Sequence, residues 1–182
     1  MKLGELKIET LMLIFPSISI DVDTENEEEL RQALDNLKAA PNYCDYLSAM
    51  PGAINRCFTN LEGKGILPLT CLSLSRNSFE KRNGMLYFDI NEIDGKIEKV
   101  SFKNEQQFTD GCGFSFAGDL VIEDQGEGIY TIVYEASIPR IKNITGANYI
   151  IDLPDKITSL MPYFIKSEVI RADDSDEASA AR

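Results

Sequence analysis

The spacing of apolar residues changes twice along the chain, and this change constrains the fold more than any other feature. Residues 1–64 carry apolar side chains at helical intervals, residues 65–152 form short runs rich in β-branched and aromatic residues, and residues 153–182 return to helical intervals. Because the N-terminal helices are too few to bury their own apolar stripes, we expect the last helix to pack on them. The order predicts an α+β protein: a helical bundle from the N- and C-terminal helices with an inserted antiparallel β-sandwich or barrel domain.

Two helices are predicted before Pro41. The first covers LGELKIETLMLIF, residues 3–15, and ends at Pro16. Its expected inward face consists of Leu3, Leu6, Met12 or Leu13, and Phe15. The second covers EEELRQALDNLKAA, residues 27–40, where the leading glutamates suit a helix N-terminus. Its expected inward residues are Leu30, Leu34 and Leu37.

A third helical pattern follows Pro41, and it is the strongest in the chain. Its apolar residues alternate at steps of four and three: Tyr43, Leu47, Met50, Ile54, Phe58 and Leu61. Pro51 lies inside this pattern, so we expect a kink there, or a break into two helices with Pro51 at the first position of the second. Gly63 and Gly65 are expected to end the element.

The middle of the chain predicts six strands. They are expected within residues 66–74, 84–90, 97–102, 114–124, 128–139 and 148–153. Asn-Gly and Asp-Gly pairs and two glycine-rich turns separate them. The clearest predicted hairpin is LVIEDQGEGIYTIVY, residues 120–134, whose alternation places Tyr130, Ile132 and Tyr134 on one face.

The C-terminal segment predicts a helix that starts at Pro154 and is kinked at Pro162. Its expected shared face contains Ile157, Leu160, Met161, Phe164 and Ile165. Ser175 is the expected cap of a further helical turn, followed by acidic residues and alanines. The sequence then ends at Arg182.

Composition excludes most catalytic arrangements. The chain has no histidine, so the commonest general base and the usual nucleophile activator are missing. Its four cysteines lack the close spacing of zinc ligands and indicate a reducing compartment. A formal net charge of −12 opposes binding to nucleic acid phosphates. The apolar run 11–15 is too short to cross a membrane. We therefore expect neither an enzyme nor a cofactor, a metal or a membrane partner.

The motifs that suggest chemistry each have a structural interpretation. The acidic runs 25–29 and 173–177 lack the ligand spacing of a calcium loop. The glycines near 63–65 and 111–113 match neither a phosphate loop nor a dinucleotide fingerprint. Cys112 lies between two glycines, but a nucleophilic thiolate there would need a base. The aromatic residues of the β region predict core packing.

Four segments then resemble head-to-tail connector proteins, also called adaptor or neck proteins, of tailed bacteriophages. These are residues 1–15, 43–68, 86–102 and 138–182, which together cover most of the chain. The most distinctive words are MPGAINRC at residues 50–57 and LMPYFIKSE at residues 160–168. The motifs are structural rather than catalytic.

The resemblance implies a virion subunit, assembled in the host cytoplasm, that forms a ring of about twelve copies beneath the portal protein. Such rings join the capsid to the next neck or tail protein and let DNA pass through their channel without specific binding. The implied fold is a helical bundle with an inserted β domain. Candidate residues for subunit or portal contacts are Tyr43, Leu47, Met50, Ile54, Phe164, Ile165, Arg171 and Arg182. Packing inside the chain remains the alternative for the apolar ones.

The last helix is expected to be a docking element. Similar proteins continue it for several turns, whereas this sequence ends at Arg182. In similar proteins this helix commonly reaches the portal. We interpret it as a segment whose remainder lies beyond Arg182 or that becomes ordered only against a neighbour.

Two other functions remain open from the residues themselves. One is a β-rich binding or tail-completion module of a virion, with the helices as its mount. The other is an enzyme that uses carboxylates alone, which requires two of them to face each other across a cleft.

Overall fold

The computed structural model describes residues 1–62 and 64–180, with side chains to residue 171. The helices are α1 Leu3–Ile14, α2 Glu27–Ala39, α3 Pro41–Leu61, α4 Asp155–Thr158 and α5 Met161–Ala180. The strands are β1 Leu69–Ser75, β2 Glu80–Arg82, β3 Met85–Asp89, β4 Gly95–Lys103, β5 Phe108–Thr109, β6 Phe114–Phe116, β7 Asp119–Glu123 and β8 Ile129–Ala136. The chain is a mixed α+β protein with two antiparallel sheets of four strands.

The chain forms two compact units. The helical unit comprises residues 1–60 and 139–182, and the β unit comprises residues 61–138. The expected boundaries, 64/65 and 152/153, lie four and fourteen residues after the observed ones, 60/61 and 138/139. Residues 139–152 belong to the helical unit because the backbone amides of Leu3 and Gly4 donate to the carbonyls of Tyr149 and Ala147, both at 2.8 Å. The strand predicted at 148–153 is wrong, since only an isolated bridge joins Ile150 to Lys2.

Helix α1 is buried on more sides than its sequence pattern predicts. Leu3, Leu6 and Leu11 are inaccessible, and Lys7 and Ile8 are also buried. The helix ends before Pro16, as predicted. Of the two alternatives for the inward face, Met12 is exposed and Leu13 is half-buried. Helix α1 packs with both α2 and α5.

Helix α2 begins where its side chains cap it. The Asn26 side chain accepts a hydrogen bond from the Glu29 amide at 3.3 Å, and three glutamates occupy the first turn. Leu30 and Leu34 are buried, as predicted. Gly4 of α1 faces Leu30: an added Cβ would lie 2.9 Å from the leucine Cγ, so glycine permits this close approach.

Helix α3 runs without interruption through Pro51. The alternative that predicted two separate helices is therefore wrong. Pro41 takes the first helical position, where a missing amide hydrogen costs nothing. Gly63 lies outside the described residues, and Gly65 follows the helix with a positive φ of 66°.

The C-terminal helical segment is divided before Pro162. Residues 155–158 form α4, and Pro162 is the second residue of α5 instead of an interior kink. The division rotates Leu160 outward, although Met161 and Ile165 remain buried as predicted. Helix α5 continues to Ala180, so Ser175 lies inside it and does not cap a new helix.

The β unit has two sheets, with strand orders β1-β8-β4-β5 in the first and β2-β3-β7-β6 in the second. Buried residues of both sheets belong to one hydrophobic cluster, which includes Phe88, Phe102, Ile122, Tyr130 and Ile132. The hairpin predicted at 120–134 is wrong, because β7 pairs in the second sheet and β8 in the first. Tyr130 and Ile132, which were predicted to share one face of β8, are both buried.

Turn chemistry explains the remaining differences in the β unit. The single strand predicted at 114–124 is a hairpin of β6 and β7, which turns at Gly118 with a φ of 88°. The Asn83-Gly84 turn joins β2 and β3, and both residues have positive φ, as a type I′ turn requires. Strands β2 and β5 were not predicted because they are too short to show an alternation.

Replacing Gly95 with alanine should destabilise the protein by about 1–3 kcal/mol. An added Cβ would lie 2.9 Å from the Ala136 Cα and closer still to the Glu135 carbonyl oxygen, so backbone must move. Chemical denaturation measures the change. Gly113→Ala is the matched control, since no atom lies within 4 Å of its added Cβ. Equal stability of the two variants would contradict the tight pairing of β4 with β8.

Candidate interaction surfaces

The α3 residues proposed for subunit contacts lie mostly inside the helical unit. Leu47, Met50 and Ile54 are 4%, 0% and 0% exposed, so they offer almost no surface to a neighbour in this conformation. Tyr43 is half-buried, and its ring packs edge-on against Phe15 with centroids 5.2 Å apart. The sequence left open whether these residues contact a neighbouring subunit or pack within the chain. Their burial shows packing within the chain.

The α5 candidates divide between core and surface. Ile165 is buried and Phe164 half-buried, whereas Arg171 is exposed. Arg171 pairs with Glu168 at 3.1 Å, and the same carboxylate accepts a 2.7 Å hydrogen bond from the Arg56 guanidinium of α3. Arg171 thus belongs to an ion-pair group that joins α3 to α5. Arg182 lies outside the described residues.

Two apolar side chains at the start of α5 form an exposed patch. Leu160 and Tyr163 are 65% and 62% exposed and stand three residues apart, at the residue before α5 and in its first turn. We call these two residues the α5 patch. Sequence reasoning placed Leu160 in the core because it treated residues 154–170 as one helix. Exposed apolar residues that lie together indicate contact with a partner more often than scattered ones do.

Strand β1 presents the longest open sheet edge. It pairs with β8 over all seven residues, from Leu69 opposite Glu135 to Ser75 opposite Ile129. Its other edge has no strand partner in the part of the chain that the structure describes. The sequence LTCLSLS contains no charge and no proline, and Leu69, Cys71 and Ser73 are exposed. Such an edge is a template for another strand.

The other sheet edges are poorer templates. Strand β2 consists of Glu80, Lys81 and Arg82, which are all charged. Strands β5 and β6 have two and three residues. Since proteins protect sheet edges with charge or short length, β1 is the exception in this unit. Sequence reasoning could not identify it, because strand order is needed to know which strand is outermost.

A buried carboxylate holds the crossing between the two sheets. The Arg76 guanidinium donates to Asp124 at 2.9 and 2.6 Å, Lys81 lies 2.5 Å from the same carboxylate, and the Gly126 amide donates to it. The Arg76 hydrogen bonds hold the pKa of Asp124 well below its usual range. The Tyr130 hydroxyl accepts from the Gln125 amide at 2.9 Å. These contacts fix the chain where it leaves β7 for β8.

Two of the four cysteine thiols, Cys57 and Cys112, are buried. Burial raises the pKa of the Cys57 thiol to about 11 and also raises the pKa of Cys112, which keeps both protonated at neutral pH. No group of three metal-ligating side chains occurs among the described residues. Within the same residues, no helix combines the length and apolar content that crossing a bilayer requires.

No protein-family model matches the chain, and no curated protein matches it.

Replacing Asp124 with asparagine should destabilise the protein by about 2 kcal/mol near neutral pH, because Arg76 loses its charged acceptor. The folded pKa of Asp124 is depressed, so its contribution is complete above its unfolded pKa of about 3.9 and is lost as pH falls. The difference between wild type and variant should therefore shrink below about pH 4. Unfolding curves recorded between about pH 3 and pH 7 measure it.

Glu80→Gln is the control for this prediction. Glu80 also accepts from an arginine, Arg82, but the pair is exposed on an edge strand, so little change is expected. A loss of stability in Glu80→Gln as large as that in Asp124→Asn would show that burial of the carboxylate is not the cause.

Proposed function

We propose that this chain is a structural subunit of the head-to-tail connector of a tailed bacteriophage. In this proposal about twelve copies form a ring beneath the portal protein, extend the DNA channel and present a surface to the next neck or tail protein. The subunit is a helical bundle that carries an inserted β-sandwich. It has no catalytic role, is assembled in the cytoplasm of the bacterial host and is part of the virion.

The observation that carries the proposal is the construction of the helical unit from both ends of the chain. Residues 1–60 and 139–182 form one unit, and the 78-residue β unit is inserted between them. This is the organisation that the resemblance to connector proteins implies. The resemblance itself extends over α1, α3, β3, β4 and the segment from Ile138 onward.

Charge supports passage of DNA rather than its binding. The chain carries thirty acidic and eighteen basic residues. Phosphate binding depends on lysine and arginine that displace counterions, so a strongly acidic subunit repels DNA and keeps it mobile.

The apolar surface supports assembly. The α5 patch and the open edge of β1 are both exposed among the described residues. Apolar side chains and an open strand edge are features through which protein subunits associate.

The first expected result is a ring. Purified protein, alone and mixed with its portal protein, is examined by light scattering and then by electron microscopy. We expect a species of about twelve times the monomer mass, or a large complex that forms only with portal. A stable monomer that does not bind the portal protein would overturn the proposal.

The α5 patch should contribute to portal binding, since the resemblance implies that the C-terminal helix reaches the portal. Leu160→Ser combined with Tyr163→Ser should weaken binding at least about tenfold, as expected for an apolar anchor. Both side chains are exposed, so the fold should persist. Ile144→Ser is the control, because Ile144 is 89% exposed but lies outside the patch. Equal affinities of the two variants for the portal protein, measured by interferometry, would show that the α5 patch is not part of the interface.

A β-rich binding or tail-completion module is the second candidate. It is favoured by an open cleft in the β unit lined by Asn91, Asp94, Lys96 and the exposed Phe116. An exposed aromatic ring and polar groups that line the same cleft suit a small ligand. The monomeric outcome of the mass measurement would favour this function.

A further inference from the structure

A second strand-like segment in the chain also lacks a partner. Residues 17–23 read SISIDVD, and their side chains alternate between exposed and half-buried, with Ile18, Ile20 and Val22 half-buried. This period of two is the pattern of a strand. Yet residues 18–23 belong to no sheet, helix or turn.

The backbone of this segment is open in its centre. The Ile18 amide donates to the Phe15 carbonyl at 3.0 Å and the Asp23 amide to the Glu29 carboxylate at 3.3 Å. Between them, the amides of residues 19–22 donate no hydrogen bond to any described residue. The segment is anchored at both ends and has the free donors that a strand partner would accept.

The open edge of β1 matches this segment in length and pattern. Both contain seven residues, and every strand pair in the β unit is antiparallel. Full antiparallel overlap places Ser17 opposite Ser75 and Asp23 opposite Leu69. It pairs three apolar residues of the segment with β1: Ile18 with Leu74, Ile20 with Leu72, and Val22 with Thr70.

This register continues the hydrophobic core of the β unit. Leu72 and Leu74 are partly buried and pack against the cluster shared by the two sheets. Ile18 and Ile20 would extend that apolar face, whereas Ser17, Ser19, Asp21 and Asp23 would lie on the outer face. A shift of one residue would reverse every side chain, so the apolar pattern excludes every odd-numbered shift from this register.

We infer that residues 17–23 of one copy add as an antiparallel strand to the open edge of β1 of the next copy. The inference rests on the proposed function, since it names the contact that joins neighbouring subunits of the ring. The donor and acceptor surfaces differ, so the contact is heterologous, the kind that generates rings.

Cysteine crosslinking tests the contact. Asp21 is expected opposite Cys71, which is exposed and unpaired, whereas Cys57 and Cys112 are buried. In a Cys44→Ser background, Asp21→Cys should give interchain disulfides in assembled protein under mild oxidation, because directly opposed strand residues bring their Cβ atoms close enough. Denaturing gels should show linked chains that Cys71→Ser abolishes.

Ile20→Cys in the same background is the register control. Its side chain is expected on the opposite face of the strand from Cys71, so no crosslink should form. Crosslinking of Ile20→Cys and not of Asp21→Cys would overturn the proposed register and with it the inference.

Proline variants test the same contact without cysteine chemistry. Successive amides of a strand point to opposite edges, so one of Ser19→Pro and Ile20→Pro must remove a bond to β1. Neither amide has an intrachain partner among the described residues, so the monomer should stay folded. We expect at least one variant to lose the ring by light scattering.

The outcomes separate the inference from the proposed function. Rings that form without the Asp21–Cys71 crosslink and survive both prolines would overturn the strand contact alone. Wild-type protein that forms no ring, with or without portal, would overturn the proposed function as well.

Discussion

Burial of helix α1 is the constraint on which the helical unit depends. Leu3, Leu6 and Leu11 are all inaccessible, and burying each contributes roughly 1.5–3 kcal/mol. The buried Thr10 hydroxyl donates to the Leu6 carbonyl at 2.7 Å, so it leaves no unsatisfied group. A helix this enclosed needs neighbours on several sides. Helix α2 supplies one side, and the C-terminal end of the chain supplies another.

Hydrogen bonds from distant parts of the chain hold this arrangement. The Lys166 ammonium of α5 donates to the Leu13 carbonyl at 2.7 Å, which satisfies a group at the end of α1. Asn55 of α3 both donates to and accepts from the backbone of Ile141, each at 2.8 Å. These contacts fix residues 139–152 in the helical unit, although their sequence contains strand-like residues.

The β unit has its own core. Its two sheets share one cluster, and the chain crosses between them at residues 124–128. Asp124 and Tyr130 hold this crossing through hydrogen bonds to Arg76 and to the backbone of Gln125. After β7 the chain changes sheet, and β8 enters the first sheet between β1 and β4. Strand β1 therefore lies at the edge of that sheet. The open edge is therefore a consequence of topology.

Sequence patterns by themselves determined the succession of a helical, a strand-rich and a second helical region, the shared face of Tyr130 and Ile132 in β8 and the ends of α1 and α2. Each depends on local chemistry: periodicity of apolar residues, capping by Asn26, or termination by Pro16. The same patterns also marked the apolar face of α3, but they could not tell whether the protein or a neighbour covers it.

Tertiary structure decided the remainder. Whether Leu160 is buried, whether residues 120–134 form a hairpin and which strand lies at a sheet edge depend on contacts between residues distant in the chain. Side-chain periodicity reports only which residues share a face, and the partner of that face is selected by the packing of the whole unit. For this reason the candidate surfaces, the α5 patch and the edge of β1, could be located only in the folded chain.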